Sequence, residues 1–218
     1  MTLIIDERPT RFSWATVINL TEFPELLLRF QRNVPGRPNA PTTVDIEKQG
    51  ELLAQHDFSD RELEEFIRKV CSWGGYPGVA QRIINKNPSE LLTSSFRAAH
   101  AAAHGGRVVA ALEDLLQVNQ LAVSFASKHL KFLAPNQAVV LDSIISERLG
   151  YDDTVEGYRV FLTDCHSILR HIVAAKLEYT GWGTNGWRIS DVEMAITAQL
   201  RSERWLAGTP AHALNADR

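Results

Sequence analysis

Apolar residues recur at steps of three and four along most of this chain, the period of an α-helix with one buried face. The longest such stripe predicts a helix over 155–177. Its apolar positions are Val155, Tyr158, Phe161, Leu162, Cys165, Ile168, Leu169, Ile172, Val173 and Leu177. A helix so long and apolar on one side is a core element, and we expect His166 and His171 on it to be structural.

The same periodicity predicts further helices over 22–32, 44–55, 78–85, 89–104, 107–118, 123–133 and 143–149. Capping patterns predict helix starts at Ser59–Glu62, Asp153–Glu156 and Ser190–Glu193. Glycines at 74–75, 105–106 and 150 predict left-handed helix ends. Only Leu3–Ile5 and parts of 12–20 have a strand-like pattern, so the fold class is mainly α.

The segment Asn33–Thr43 holds three prolines and predicts an extended connector. We therefore divide the chain into an N-terminal segment and connector over 1–43, a helical domain over 44–205 and a flexible tail over 206–218. There is no apolar run long enough for a signal peptide or a membrane span. We expect a cytoplasmic protein without a membrane partner.

Composition is that of an ordinary globular protein, and the formal net charge of -3 provides no global attraction to nucleic acid. The charge is uneven, however. Residues 45–65 carry eight acids and two bases, whereas residues 66–107 carry six bases and one acid, Glu90. Either the basic segment faces phosphate, or Glu62, Glu64 and Glu65 neutralise it in the folded chain.

The stretch over 107–150 predicts a helix, a short turn at Asn119–Ala122, a second helix, a loop with Pro135 and a helix that begins after Asp142. Its ASKHLKFLAP and VVLDS motifs, with GWRISDVEMAI further on, resemble the bacterial 8-oxoguanine DNA glycosylase-like family of the helix-hairpin-helix superfamily. The resemblance covers roughly 60–200. It implies a helix-hairpin-helix DNA glycosylase-like helical fold and base excision in DNA repair.

Asp142 is the first candidate catalytic residue. Breaking an N-glycosidic bond builds positive charge on the sugar, and a carboxylate near the anomeric carbon stabilises it. Asp142 follows an apolar run and precedes a helix whose dipole favours the ionised carboxylate. The alternative is a plain N-cap aspartate that stabilises its helix by about 1 kcal/mol.

Lys128 is the second candidate. The resemblance implies a lysine that attacks the anomeric carbon and forms a Schiff base, which requires a lowered pKa. The family's lysine stands at the start of the helix, near Ser124 in this chain, and Lys128 lies one turn later. A lysine that pairs with Asp142 or caps carbonyls is the alternative.

Three further residues are candidates for binding the substrate. Trp73 and Trp187 lie near predicted loops and could clamp a flipped base. Arg188 could hydrogen-bond a purine edge or pair with Asp191. For each tryptophan, packing in the core is the alternative.

The turn at Asn119–Ala122 is the predicted DNA contact, with Asn119 and Ser124 as its binding residues. It contains no glycine, whereas the family's hairpin is glycine-rich so that backbone amides approach a phosphate closely. Asn119 is the residue expected to adopt a left-handed conformation.

We predict neither a metal nor a cofactor. His100 and His104 would share a helix face without a third ligand, and Cys71 and Cys165 are interpreted as buried thiols. Three functions stay open: excision of a damaged purine from DNA, hydrolysis of a free modified purine or deazapurine nucleotide, and a catalytically silent binding module.

Overall fold

The computed structural model describes residues 2–5, 16–32, 41–181 and 186–206. Within these ranges two short strands, β1 (Thr2–Ile5) and β2 (Thr16–Asn19), pair antiparallel, with Thr2 opposite Asn19. A 3-10 turn over Leu20–Glu22 follows. The helices are α1 (Phe23–Arg32), α2 (Thr43–Gln55), α3 (Asp60–Trp73), α4 (Pro77–Asn85), α5 (Ser89–His104), α6 (Val108–Leu116), α7 (Val123–Leu133), α8 (Ser143–Leu149), α9 (Val155–Ala174) and α10 (Ile189–Leu206).

The mainly α prediction is confirmed, and most predicted helices lie within two residues of those observed. The strand-like segments form the β1–β2 ribbon. The helix-hairpin-helix glycosylase assignment and the three-part domain division stay predictions. Most of the predicted connector and nearly all of the predicted tail lie outside the described residues.

Two helix starts differ in detail from the predicted capping pattern. Ser59 donates its hydroxyl to the Glu62 carboxylate at 2.6 Å instead of capping a backbone amide. Thr154 caps α9 by accepting from the Gly157 amide at 3.0 Å. A hydroxyl accepts an amide only when its rotamer points into the first turn, and the pattern of residue types does not determine that rotamer.

The predicted start of the last helix, with Ser190 as its N-cap, is wrong by about two residues. Helix α10 already includes Ile189, and Ser190 is buried within its first turn. The side chain of Asp191 accepts the backbone amide of Arg188 at 2.9 Å, so Asp191 closes this helix end.

The glycine-rich helix ends behave as the pattern predicts. Gly150 ends α8 with φ 69°, and Gly75 and Gly106 have φ 86° and 76° after α3 and α5. Helix α9 ends at Ala174, earlier than the predicted 177, because Lys176 adopts a left-handed φ of 53°. Val173, in the last turn of α9, is exposed, although the stripe assigns it to the core.

Helix α7 is the central helix of the described core. Every residue from Ala126 to Ala134 is buried, including the polar side chains of Ser127, Lys128, His129 and Lys131. The neighbouring helices α2, α3, α5 and α6 all pack against it. A helix buried on all sides must find a partner for each polar group, since an unpaired buried polar group costs free energy.

Gly50 allows α2 to approach the backbone of α7. A Cβ at this position would lie 2.3 Å from the carbonyl oxygen of Phe132. We expect Gly50→Ala to lower the free energy of unfolding by about 1–3 kcal/mol through overpacking, measured by urea denaturation. Gly78→Ala is the control, since a Cβ there meets nothing within 4 Å, and it should leave stability unchanged or slightly raised. Equal stability of the two variants would contradict the close contact.

Candidate active site

The turn between α6 and α7 is tight and positions the first residues of α7. The Leu121 amide donates to the Val118 carbonyl at 3.1 Å. Gln120 has the left-handed φ of 77°, so the prediction that Asn119 adopts this conformation is wrong by one residue. Ala122 is the N-cap and has no side-chain acceptor for the α7 amides.

Asn119 is exposed, but its polar groups are already engaged by Asn87. Its backbone amide donates to the Asn87 side-chain oxygen at 2.8 Å, and the Asn87 amide group donates to the Asn119 carbonyl at 3.0 Å. This pair ties the hairpin turn to the end of α4. The Asn119 amide is therefore not free for a phosphate in this conformation.

Lys128 places its amino group one turn before its own Cα. Helical side chains point towards the helix N-terminus, and Nζ reaches the Ser124 hydroxyl at 2.9 Å and the Ser124 carbonyl at 3.2 Å. The ammonium group thus lies at the first turn of α7. The Nζ of Lys128 therefore lies beside Ser124, the position near which the resemblance implies a lysine.

Asp142 and Lys128 are brought together across a 14-residue separation in sequence. The Asp142 Oδ2 lies 3.7 Å from the Lys128 Nζ, and their side chains are 18 % and 7 % exposed. Asp142 also caps α8, since its Oδ1 accepts the amides of Ile144 at 3.1 Å and Ile145 at 3.2 Å. Lys128 therefore pairs with Asp142 and donates to a carbonyl, and Asp142 caps a helix, which are the alternatives stated for the two residues. Their catalytic roles stay predictions.

Ser127 determines the register that creates this pair. Its hydroxyl oxygen accepts the Leu141 amide at 3.1 Å, so the residue before Lys128 is held against the residue before Asp142. Ser127 is fully buried, as is the Val139–Leu141 run that precedes Asp142. A small hydroxyl in the α7 core thus aligns the two candidate catalytic groups.

Burial lowers the pKa of Lys128 from its ordinary value, while the negative charges of Asp142, Glu193 and Asp153 oppose that shift. A Cβ at Gly74 would lie 3.3 Å from the Lys128 side chain, so the glycine after α3 makes room for the lysine stem. A lowered pKa increases the fraction of neutral amine, the nucleophilic form.

Trp73 is not the exposed ring that its position beside Gly74 and Gly75 predicts. It is only 6 % exposed, donates its indole N–H to the Thr43 hydroxyl at 3.1 Å and packs edge-on against Phe132. The core alternative therefore applies to Trp73. Its replacement as a candidate aromatic is Tyr76, three residues later and 62 % exposed.

Trp187 and Arg188 belong to a separate cluster at the start of α10. Trp187 is half-buried and donates its indole N–H to the Leu177 carbonyl at 3.2 Å. Arg188 donates Nη2 to Asp191 at 2.9 Å, which is the pairing alternative of the sequence analysis. In this conformation the Arg188 guanidinium is occupied by protein carboxylates and is not presented to a purine.

A buried network of four charges joins α2, α7 and α10. Glu47 accepts Lys131 Nζ at 2.7 Å with one oxygen and Arg188 Nη1 at 2.8 Å with the other, and Arg188 continues to Asp191. Burial alone would raise the pKa of Glu47, but the charges of Lys131 and Arg188 hold it below its ordinary value. No sequence motif singles out Glu47 or Lys131, which lie 84 positions apart.

Glu193 is a further buried carboxyl that the motifs did not single out for chemistry. It is 3 % exposed, its Oε1 accepts the Thr197 hydroxyl at 2.8 Å, and its Oε2 is without a hydrogen-bond partner among the described residues. Burial raises its pKa to about 7, against the opposing charges of Lys131 and Lys128. Near neutral pH this carboxyl is therefore partly protonated.

The basic segment over 66–107 is neutralised only in part. Three of its bases pair with acids from 45–65, namely Arg68 with Glu64, Lys69 with Glu65 and Arg97 with Asp57. Glu62 instead pairs with His56 at 2.7 Å. The other three bases make no ion pair with any residue that the structure describes: Arg82, Lys86 and Arg107.

Metal and membrane sites can be examined only over the described ranges. There, no group of three His, Cys, Asp or Glu residues is placed to hold a metal ion. His100 and His104 stack at 4.0 Å between ring centroids, and the His104 Nδ1 bonds the His100 carbonyl. No helix in this part of the chain combines the length and apolarity needed to cross a membrane.

The Lys128–Asp142 pair is the part of the candidate site that the structure brings together. Ser124 joins it as a hydrogen-bond acceptor for Lys128. No protein-family profile, curated protein or solved structure matches this chain. The resemblance to the glycosylases thus rests on the sequence motifs.

Proposed function

We propose that the protein is an N-glycosylase that excises a damaged or modified purine of the 8-oxoguanine type from DNA. One observation carries the proposal: the Lys128 amine and the Asp142 carboxylate lie 3.7 Å apart at the meeting point of α7 and α8. An amine of lowered pKa beside a carboxylate is the pair that this reaction requires.

In the proposed reaction the neutral Lys128 amine attacks the anomeric carbon. A bond forms between Nζ and that carbon while the bond to the purine nitrogen breaks, and the purine leaves with the electron pair and takes up a proton. Opening of the sugar ring then converts the adduct to a Schiff base. The Asp142 carboxylate stabilises the positive charge that develops on the sugar.

The hairpin takes the role of a DNA contact in this proposal. The N-terminal amides of α7 have no side-chain cap, and a helix N-terminus favours an anion. Asn119 and Ser124 flank this position. Ser124 already accepts from Lys128, so its second role is to hold the nucleophile in place.

Borohydride reduction tests the lysine directly. With an 8-oxoguanine-containing duplex, we expect the native protein to yield a covalent protein–DNA adduct that Lys128→Gln abolishes, because only a primary amine forms the Schiff base. Lys69→Gln is the matched control, since Lys69 is a surface lysine paired with Glu65. Both variants are checked by circular dichroism, and the adduct is measured by denaturing gel electrophoresis.

Asp142→Asn should lower the rate of base release by about 100- to 1000-fold, because it removes the charge that stabilises the transition state. An adduct that persists in Lys128→Gln would remove Lys128 from the mechanism. Absence of base release from damaged duplex and single strand alike would contradict the proposal as a whole.

A second candidate is an N-glycosidase for a free modified purine or deazapurine nucleotide. The engagement of the Asn119 amide by Asn87 favours it, since a hairpin without glycine and with this amide occupied is less suited to a duplex phosphate. Release of base from the free nucleotide, but not from DNA that carries the same base, would favour this candidate over the first.

A further inference from the structure

An exposed aromatic ring lies beside the candidate site at the beginning of α4. Tyr76 is the N-cap of α4 and is 62 % exposed. Its ring meets Phe125 edge-on, with the centroids 6.0 Å apart and the planes at 75°. A Cβ at the nearby Gly75 or Gly78 would meet nothing within 4 Å. The Tyr76 ring is therefore exposed next to small residues that leave space around them.

This ring is connected to the Lys128–Asp142 pair through direct contacts. Phe125 lies in the first turn of α7, and the Lys128 Nζ lies 5.4 Å from its ring centroid. Lys128 in turn contacts Asp142. Tyr76 thus stands one residue away from the candidate nucleophile, at a position where a planar ring is accessible to a ligand.

Further along α4 from the Tyr76 ring, the exposed side of the helix is positively charged. Arg82 and Lys86 are exposed, lie one turn apart and follow Gly78 at steps of four, so the three share one face. Neither cation has an ion-pair partner in the described ranges, and the chain has no acidic residue over 66–89. Among the residues that the structure describes, no ion pair neutralises the charge on this face.

The far end of α4 adjoins the hairpin. Asn87 directly follows Lys86 and holds the Asn119 turn by its side chain. Helix α4 therefore runs from the candidate site to the predicted DNA-contacting turn, a length of about 13 Å at the usual helical rise. Arg82 and Lys86 come between Tyr76 and Asn87 along this helix, so a strand of nucleic acid that touches both of its ends would pass close to them.

We propose that the exposed face of α4 binds one strand of a nucleic acid, with Arg82 and Lys86 on its phosphates and Tyr76 stacked on a base. Helix α4 carries two cations without an ion-pair partner among the described residues and one exposed aromatic ring. A nucleic acid strand matches them, because it is a polyanion with exposed planar bases. The link between this surface and base excision rests on the proposed function. Its binding can be measured without catalysis.

The electrostatic part is tested by salt dependence. Fluorescence anisotropy with a labelled duplex that carries one 8-oxoguanine gives the affinity at several salt concentrations. The Arg82→Gln/Lys86→Gln variant should reduce the slope of log affinity against log salt by about 1.8, which corresponds to two lost phosphate contacts. The control Lys48→Gln/Arg170→Gln removes the same charge from exposed positions on α2 and α9 and should leave the slope unchanged.

The stacking part is tested at Tyr76 with the same assay. Tyr76→Ala should weaken binding of the oligonucleotide about tenfold or more, while Tyr76→Phe should retain the native affinity, since stacking needs the ring and not the hydroxyl. Loss of affinity in Tyr76→Phe equal to that in Tyr76→Ala would contradict a stacking role.

Three outcomes would overturn the surface: equal slopes for the two double variants, no change in affinity for Tyr76→Ala, or equally effective competition by polyglutamate of the same charge. Base release that is unaffected by the α4 variants would contradict this surface and leave the glycosylase proposal intact. Normal salt-dependent binding of the oligonucleotide without base release would contradict the glycosylase proposal and leave this surface intact.

Discussion

Glu47→Gln is expected to lower the free energy of unfolding by about 3–5 kcal/mol. Glu47 is the anion between two buried cations, and its two oxygens bind Lys131 and Arg188. Glutamine keeps the shape but removes the charge, so Lys131, whose side chain is 0 % exposed, loses the only carboxylate with which it forms an ion pair among the described residues. Arg188 retains Asp191. The cost arises mainly from the unpaired lysine.

Urea denaturation measures this change. Glu51→Gln on the same helix is the control, since Glu51 is exposed, and its free energy of unfolding should stay within about 0.5 kcal/mol of the native value. The double variant Glu47→Gln/Lys131→Met should recover a large part of the stability, because it removes the unpaired charge as well. A loss below about 1 kcal/mol in Glu47→Gln would mean that the network contributes little.

Glu193→Gln is expected to stabilise the protein at pH 8 by about 3 kcal/mol relative to the native chain and to change little at pH 4. The carboxyl has a pKa of about 7 in the folded protein, above its ordinary value of 4.5. Between these values the folded chain binds a proton that the unfolded chain has released. The free energy of unfolding of the native chain therefore falls as pH rises from about 4.5 to about 7, because the folded chain must give up the proton on Glu193. Glutamine is neutral at every pH, so the variant does not show this fall.

The measured quantity is the difference in free energy of unfolding between the variant and the native chain at each pH. The difference is needed because His129, whose pKa burial lowers to about 4, destabilises the fold in both proteins as pH falls. In the native chain this effect opposes the pH dependence that Glu193 produces. Glutamine can still accept from Thr197, which donates to this position at 2.8 Å. Glu90→Gln, at an exposed position, is the control. A difference that does not change with pH would contradict a protonated Glu193.

Local patterns were sufficient for most of the helical architecture. The predicted ranges 89–104, 123–133 and 143–149 coincide with α5, α7 and α8, because amphipathic periodicity and glycine ends act within a few residues. The errors also have local causes. The end of α9 depended on a left-handed Lys176, and the turn before α7 placed its positive φ at Gln120, where residue type alone does not determine conformation.

Residues of the candidate site that follow local sequence motifs were identified from the sequence, whereas those whose environment depends on tertiary packing were not. Asp142 and Lys128 follow motifs close together in sequence, and the structure places them in contact. Trp73 and Tyr76 lie in the same short segment, and only packing decided that the tryptophan is buried while the tyrosine is exposed. Glu47 carries no motif, and nothing near it in sequence identifies Lys131 or Arg188 as its partners.

The sequence by itself determined a mainly helical chain and the order of its helices, and it singled out Asp142 and Lys128 as candidates for glycosidic chemistry. Those features depend on contacts within one or two helical turns. The tertiary structure decided which charges are paired: Arg188 is enclosed with Glu47 and Asp191, whereas Arg82 and Lys86 have no acidic partner among the described residues. The role of a charge such as Glu47 depends on neighbours that are distant in sequence, and only folding brings those neighbours within a few ångströms.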